Sequence, residues 1–114
     1  MHELSLTQRI VHIVLNEAKK ENASRVLKVT LAVGEDSGIV PDCVQNYFDL
    51  LTEGTMAHGA KIEANSIRST LYCENCKKEF ERARFSFSCP DCGAEGTPTK
   101  NGNACYVESI ELET

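Results

Sequence analysis

The order of the predicted elements indicates an α+β fold: a small three-stranded mixed sheet, two helices and an inserted hairpin unit. Two amphipathic segments alternate with two strand-like segments up to about residue 68, and one more strand-like segment ends the 114-residue chain. A cysteine-rich segment separates the second and third strands. Because the three strands and two helices must share one core, we expect the cysteine segment to be an excursion from the sheet.

Two helices are predicted from apolar residues at helical spacing. The first runs from about Leu4 to Lys20, and the second opens at Pro41, where proline needs no N–H group and Asp42 favours the positive helix end. The expected core-facing residues are Leu4, Val11, Val14, Leu15 and Ala18, with Ile10 at the edge, in the first helix, and Val44, Tyr47, Phe48 and Leu51 in the second. His12 falls on the solvent side of the first helix.

Three strands are predicted at Arg25 to Val33, about Ala60 to Arg68, and Cys105 to Glu113. The first alternates well, with Leu27, Val29, Leu31 and Val33 expected on one face. The apolar residues of the third strand do not follow one strict alternation, so we expect a bulge or an edge strand there. The turn-rich segment 34–38, with adjacent acidic residues at positions 35 and 36, is expected to be a solvated loop rather than a cation site.

Four of the six cysteines form two pairs, each with two residues inside the pair and with twelve residues between the pairs. They are Cys73, Cys76, Cys89 and Cys92. A hairpin of this length brings the pairs together, and four thiolates make a closed tetrahedral cage suited to a structural Zn²⁺. The alternative is two disulfides, which need an oxidising compartment. Iron would also fit such a cage, as in a rubredoxin-like electron carrier.

The segment around these cysteines has few apolar residues, so metal binding is expected to supply much of its folding free energy. We therefore predict an inserted, zinc-ribbon-like domain at residues 71–103, and an α/β domain made of residues 1–70 and 104–114. Cys43 and Cys105 are expected to be free, half-buried residues. Gly93 follows the second pair and is expected at positive φ.

Composition and charge exclude several classes of protein. No apolar run approaches the ~20 residues of a membrane span, and no signal peptide opens the chain, so we expect a cytoplasmic protein with reduced thiols. The net charge of −5 gives no general attraction for nucleic acid. No set of nucleophile, base and oxyanion donors stands out, so catalysis is not predicted.

The first three residues, Met1, His2 and Glu3, form a candidate site for a second metal. The α-amine, the backbone nitrogen of His2 and its imidazole can converge on one ion, and the Glu3 amide can complete a plane. Nitrogen ligands in a square plane suit Ni²⁺ or Cu²⁺. A histidine placed second by chance is the alternative.

Taken together, several motifs resemble the HypA/HybF family of hydrogenase nickel-maturation proteins, in order from Met1 to nearly the last residue. They are Met1-His2-Glu3-Leu4-Ser5-Leu6, Gly34 with Ser37-Gly38-Ile39-Val40-Pro41, Gly54-Thr55 with Gly59-Ala60, the cysteine pairs including Cys89-Pro90-Asp91-Cys92, and Ser109-Ile110-Glu111. Departures are modest: many relatives have a cysteine where this chain has Thr7, and Cys43 and Cys105 match no family ligand.

The resemblance implies a nickel metallochaperone with a nickel site at Met1, His2 and Glu3 and a zinc site at the four paired cysteines. It also implies a GTPase partner that handles nickel, and delivery of the ion to the large subunit of [NiFe]-hydrogenase, with urease served by some members. The oligomeric state, a homodimer included, stays open. The rival hypothesis from the residues is a zinc-ribbon module that binds protein or nucleic acid.

Overall fold

The computed structural model describes residues 3–83 and 86–114. Two α-helices, α1 (Glu3–Lys20) and α2 (Pro41–Leu51), are present together with a short 3-10 helix at Asn101–Asn103. Six strands are β1 (Arg25–Gly34), β2 (Lys61–Ile67), β3 (Thr70–Cys73), β4 (Lys78–Glu81), β5 (Thr97–Pro98) and β6 (Cys105–Glu113). Proline occupies the first turn of α2, as predicted.

The main sheet has the order β2-β1-β6. β1 lies in the centre, parallel to β2 and antiparallel to β6. The prediction of a mixed three-stranded sheet with two helices is therefore confirmed. β6 is an edge strand and its pairing with β1 contains register shifts, which confirms the expected irregularity.

Both helices contribute to a single core on one face of this sheet. Its buried residues are Leu6, Ile10, Val14, Ala18, Val26, Val29, Leu31, Val33, Ile39, Val44, Phe48, Ala57, Ala60 and Ile62. The predicted stripe of α1 is displaced: Leu4 is 42% exposed, whereas Ile10, expected at the edge, is only 2% exposed. Thr7 is also buried, and its hydroxyl is satisfied by a hydrogen bond that it donates to the Glu3 carbonyl oxygen at 2.5 Å.

β1 departs from strict alternation at its beginning. Val26 is buried and Leu27 is only half-buried, which reverses the prediction for Leu27. The cause is a register shift between Val26 and Lys28, where Leu27 has no partner on β6. A bulge of this kind inserts one residue and changes which side chains point to the core.

A second sheet, of order β4-β3-β5, carries the cysteine pairs and lies between β2 and β6 in the chain. This order confirms an insertion into the main sheet. The molecule measures 55 × 25 × 16 Å and has a radius of gyration of 17.5 Å. A compact chain of this length would have a radius near 13 Å, so the molecule is elongated.

Within the described ranges 3–83 and 86–114, neither helix is long and apolar enough to cross a bilayer. The turn 34–38 is not a simple solvated loop. Its carboxylates Glu35 and Asp36 pair with Ser69 and Arg82, which are distant in sequence. Glu35 and Asp36 are exposed, in agreement with the predicted solvated loop, but the sequence could not show partners that lie far along the chain.

Candidate metal centre

Each cysteine pair occupies a tight turn at the end of a short antiparallel connection. Cys73 ends β3, and Cys76 lies in the turn before β4. The second pair lies in the loop closed by an isolated bridge between Ser88 and Glu95. After each pair one residue has positive φ: Lys77 at 54° and Gly93 at 77°. The prediction for Gly93 is confirmed, whereas Lys77, a non-glycine residue in this region, gave no signal in the sequence.

These turns direct backbone groups toward the sulfur atoms and close the loops. The Cys76 N–H donates to the Cys73 Sγ at 3.5 Å. In the second turn the Gly93 N–H donates to the Cys89 carbonyl oxygen at 2.8 Å, and the Cys89 N–H donates to the Ala94 carbonyl oxygen at 2.7 Å. Such hydrogen bonds fix the positions of thiolate ligands before a metal arrives.

The four sulfur atoms of Cys73, Cys76, Cys89 and Cys92 lie within 4.8 Å of one another. The Cys73 and Cys92 sulfurs are 3.4 Å apart, and the Cys76 and Cys89 sulfurs are 3.9 Å apart. With Zn–S bonds of ~2.3 Å, tetrahedral zinc places its sulfurs about 3.8 Å from each other. All four cysteines are free thiols. The cluster therefore fits a closed structural zinc site, with no coordination position left for a substrate.

The electrostatics of the cluster also favour a cation. Hydrogen bonds from the backbone N–H groups of Cys92 and Asp91 lower the pKa of Cys89 to about 7. Hydrogen bonding with Cys92, followed by burial, raises the pKa of Cys76 to about 12. The Cys89 thiol thus ionises readily, whereas the Cys76 thiol resists a further negative charge. A divalent ion at the centre removes this conflict, because it stabilises all four thiolates together.

The apolar core of the inserted unit is very small. Among its described residues, the buried apolar side chains are Leu71, Cys73 and Cys89. Leu71 and Phe80 pack against Gly96, where an added Cβ would lie 2.7 Å from the Phe80 ring and 2.8 Å from the Leu71 Cβ. One leucine and two cysteines cannot stabilise a unit of this size by burial alone. The structure thus supports the expected dependence of its fold on metal.

The predicted nickel site lies mostly outside the described residues. Met1 and His2 are not among them, and Glu3 is the first residue of α1. The Glu3 carbonyl oxygen is engaged by Thr7. The Met1, His2 and Glu3 site stays a prediction.

The remaining cysteines and histidines among residues 3–83 and 86–114 do not join the four-cysteine cluster. Cys43, predicted to be half-buried, is instead exposed in the first turn of α2. Cys105 is half-buried as predicted, at the start of β6, where burial raises the pKa of its thiol. His12 is exposed, in agreement with the predicted solvent-facing position, and its Nε2 lies 3.2 Å from the Asn16 amide nitrogen. His58 is exposed after α2.

Comparison with known proteins agrees with this architecture. The family model described as "Hydrogenase/urease nickel incorporation, metallochaperone, hypA" matches residues 1–112. The chain belongs to this family. A HypA relative from Caldanaerobacter subterraneus subsp. tengcongensis, named Hydrogenase maturation factor HypA, is 45% identical over 114 residues, covering 99% of this chain and 100% of its own. Another of the same name, from Geobacter metallireducens, is 36% identical over 113 residues, covering 99% and 100%.

Two solved structures share the fold. The solution structure of the Ni metallochaperone HypA from Helicobacter pylori superposes with a TM-score of 0.72 at 22% identity, covering 99% of this chain and 98% of its own. A second solution structure, of a HypA protein, gives 0.78 at 23% identity, covering 98% and 96%. At these identities the likeness shows the fold alone.

Proposed function

We propose that this protein is a nickel carrier: it binds Ni²⁺ through Met1, His2 and Glu3 and delivers it during maturation of the [NiFe]-hydrogenase large subunit. The observation that carries the proposal is membership of a nickel-incorporation family over residues 1–112, a span that includes the three N-terminal residues. These residues offer a primary amine, two backbone nitrogens and an imidazole, a set that suits square-planar nickel.

Nickel and zinc take different roles in this proposal. Residues 1–70 and 104–114 form the nickel-binding domain, and residues 71–103 form the zinc domain. Two separate hydrogen-bonded sheets support this division. The sulfur cage holds zinc in a structural role because its coordination sphere is closed. An N-terminal nitrogen site can exchange its ligands one at a time with an acceptor, which is what a carrier requires.

The partners follow from the same role. A GTPase that handles nickel loads or releases the ion, and the hydrogenase large subunit receives it, with urease as an alternative recipient. The family description names both hydrogenase and urease. The protein acts in the cytoplasm and performs no catalysis of its own. Its zinc domain shapes a surface for docking to these partners.

The test is to block the α-amine and leave every side chain in place. Acetylation of the N-terminus should weaken nickel binding at least about tenfold, which corresponds to about 1.4 kcal/mol. Isothermal titration of zinc-loaded, untagged protein measures the affinity. Amidation of the Thr114 carboxyl group is the matched control and should have no effect. Equal nickel affinity in blocked and native protein would exclude the amine as a ligand and overturn this site.

A further inference from the structure

The acidic turn between β1 and α2 forms ion pairs with Arg82 of the inserted unit. The two terminal guanidinium nitrogens of Arg82 donate to the Asp36 carboxylate: Nη1 to Oδ2 and Nη2 to Oδ1, each at 3.1 Å. The Glu35 Oε1 lies 3.8 Å from Nη2 of the same arginine. Arg82 directly follows β4, so this ion pair joins the main sheet to the unit that carries the cysteines. A two-pronged pairing of this kind fixes direction as well as distance.

Ser69, in the link between β2 and β3, completes the contact. Its N–H donates to the Glu35 Oε1 at 2.6 Å, its hydroxyl donates to the Asp36 Oδ2, and its carbonyl oxygen accepts from the Arg82 N–H at 3.0 Å. Ser69 is only 4% exposed. Hydrogen bonds from Ser69 lower the pKa of Glu35 and of Asp36, with Arg82 as a further cause. Both carboxylates are therefore charged at neutral pH.

The chain that returns from the inserted unit is fixed at the same place. The Asp36 N–H donates to the Gly102 carbonyl oxygen at 2.7 Å, and the Gly34 N–H donates to the Ala104 carbonyl oxygen at 2.6 Å. A Cβ at Gly102 would lie 2.6 Å from the Ser69 Oγ and 2.8 Å from the Asp36 Oδ2. Because Gly102 has no side chain, the side chains of Ser69 and Asp36 have room to meet beside it.

Among the described residues, the other contacts between the two units include backbone hydrogen bonds of Gly34 and Asp36 with the returning chain and the exposed ion pair of Arg68 with Glu81. The chain crosses between them at two places, near Ser69 and near Gly102, and the long axis of 55 Å against 25 and 16 Å shows that the inserted unit projects from the main sheet. Units joined by small, polar contacts are expected to reorient unless a specific contact prevents it. The cluster of Glu35, Asp36, Ser69 and Arg82 is such a contact.

We propose that Glu35 and Asp36 form a clasp that binds Arg82 and thereby holds the four-cysteine unit at one orientation relative to the α/β unit. When the clasp opens, the four-cysteine unit turns about the two crossings near Ser69 and Gly102. Arg82 acts as a positioning residue: it touches no metal, and it sets where the cysteine unit points. This coupling of the two units does not depend on nickel.

The test uses zinc-loaded, ¹⁵N-labelled full-length protein in solution. Residual dipolar couplings of both units in the native protein should fit a single alignment tensor, since the clasp makes them one rigid body. Arg82→Gln and Asp36→Asn should each lose the common tensor, and ¹⁵N relaxation should give a shorter correlation time for residues 70–103 than for the main sheet. The zinc content of both variants should stay at one per chain.

Arg68→Gln is the matched control, because it removes a guanidinium one residue before Ser69. Arg68 pairs with Glu81 at 3.6 Å, and both side chains are 64% exposed. This variant should keep the single tensor. Separate tensors in the native protein, a common tensor in both clasp variants, or loss of the tensor in Arg68→Gln would each overturn the clasp. If Arg82→Gln loses zinc, Asp36→Asn decides the question, because its substitution lies in the other unit.

Discussion

Gly34 ends β1 where the returning chain packs against the main sheet. A Cβ at this position would lie 2.3 Å from the Gly102 carbonyl oxygen and 2.6 Å from the Asn101 carbonyl oxygen. Both are backbone atoms and cannot move aside as a flexible side chain would. Gly34→Ala should therefore lower the free energy of unfolding by about 3 kcal/mol, the upper part of the range for overpacking. Chemical denaturation of the zinc-loaded protein measures it.

Gly54 offers a comparison for this substitution. It has φ of 77°, but an added Cβ would meet nothing within 4 Å. Gly54→Ala should cost about 1 kcal/mol, the usual penalty of a left-handed conformation for an L-residue. A loss in Gly34→Ala no larger than that in Gly54→Ala would show that the close approach to Gly102 is absent in solution.

Single residues also show where inference from the sequence stops. The alternation of β1 predicted a strand correctly, but it placed Leu27 in the core instead of Val26, because a bulge depends on the partner strand β6. The helix α1 was predicted correctly, but not which of its side chains face the core. Leu4 and Ile10 have similar hydrophobicity, and only packing on the sheet decides which is buried.

At the scale of an element, the cysteine unit is the part that the sequence predicted best. Its ligand pairs are local, so spacing alone determined which four sulfurs meet. The clasp was missed for the opposite reason: Asp36 and Arg82 are 46 residues apart, and neither residue has a local signature. A short acidic turn is usually solvated, and only the tertiary structure shows its partner.

The inserted unit should unfold selectively when it loses one ligand. Cys76→Ala leaves three sulfurs around the ion and a core with little apolar area, so zinc should be lost and the amide signals of residues 70–103 should collapse to random-coil positions. Signals of the helices and the main sheet should stay dispersed in an ¹H–¹⁵N spectrum.

Cys43→Ala is the control for this variant, because Cys43 is an exposed cysteine of α2 outside the cluster. It should retain one zinc per chain and a native spectrum. Collapse of the main sheet in Cys76→Ala would contradict an inserted unit that folds around its own metal.

At the scale of the whole molecule, the order of elements in the sequence predicted a main sheet interrupted by a metal unit, and the two sheets confirm that order. The contacts between the two units could not be predicted, because segment 34–38 and residues 69 and 82 lie far apart in the sequence. The resulting molecule keeps a closed sulfur cage in one unit. Its proposed carrier site lies at the start of the other.

The most direct test of the proposed nickel site is a nickel titration of zinc-loaded, untagged protein. Calorimetry and metal analysis compare the native chain with His2→Ala and His12→Ala. His12 is the matched control because it is an exposed histidine of α1. We expect one Ni²⁺ per native chain, binding abolished in His2→Ala, unchanged affinity in His12→Ala, and zinc retained throughout. Native affinity in His2→Ala, or nickel that binds only by displacing zinc from the cysteines, would contradict the carrier role of the N-terminus.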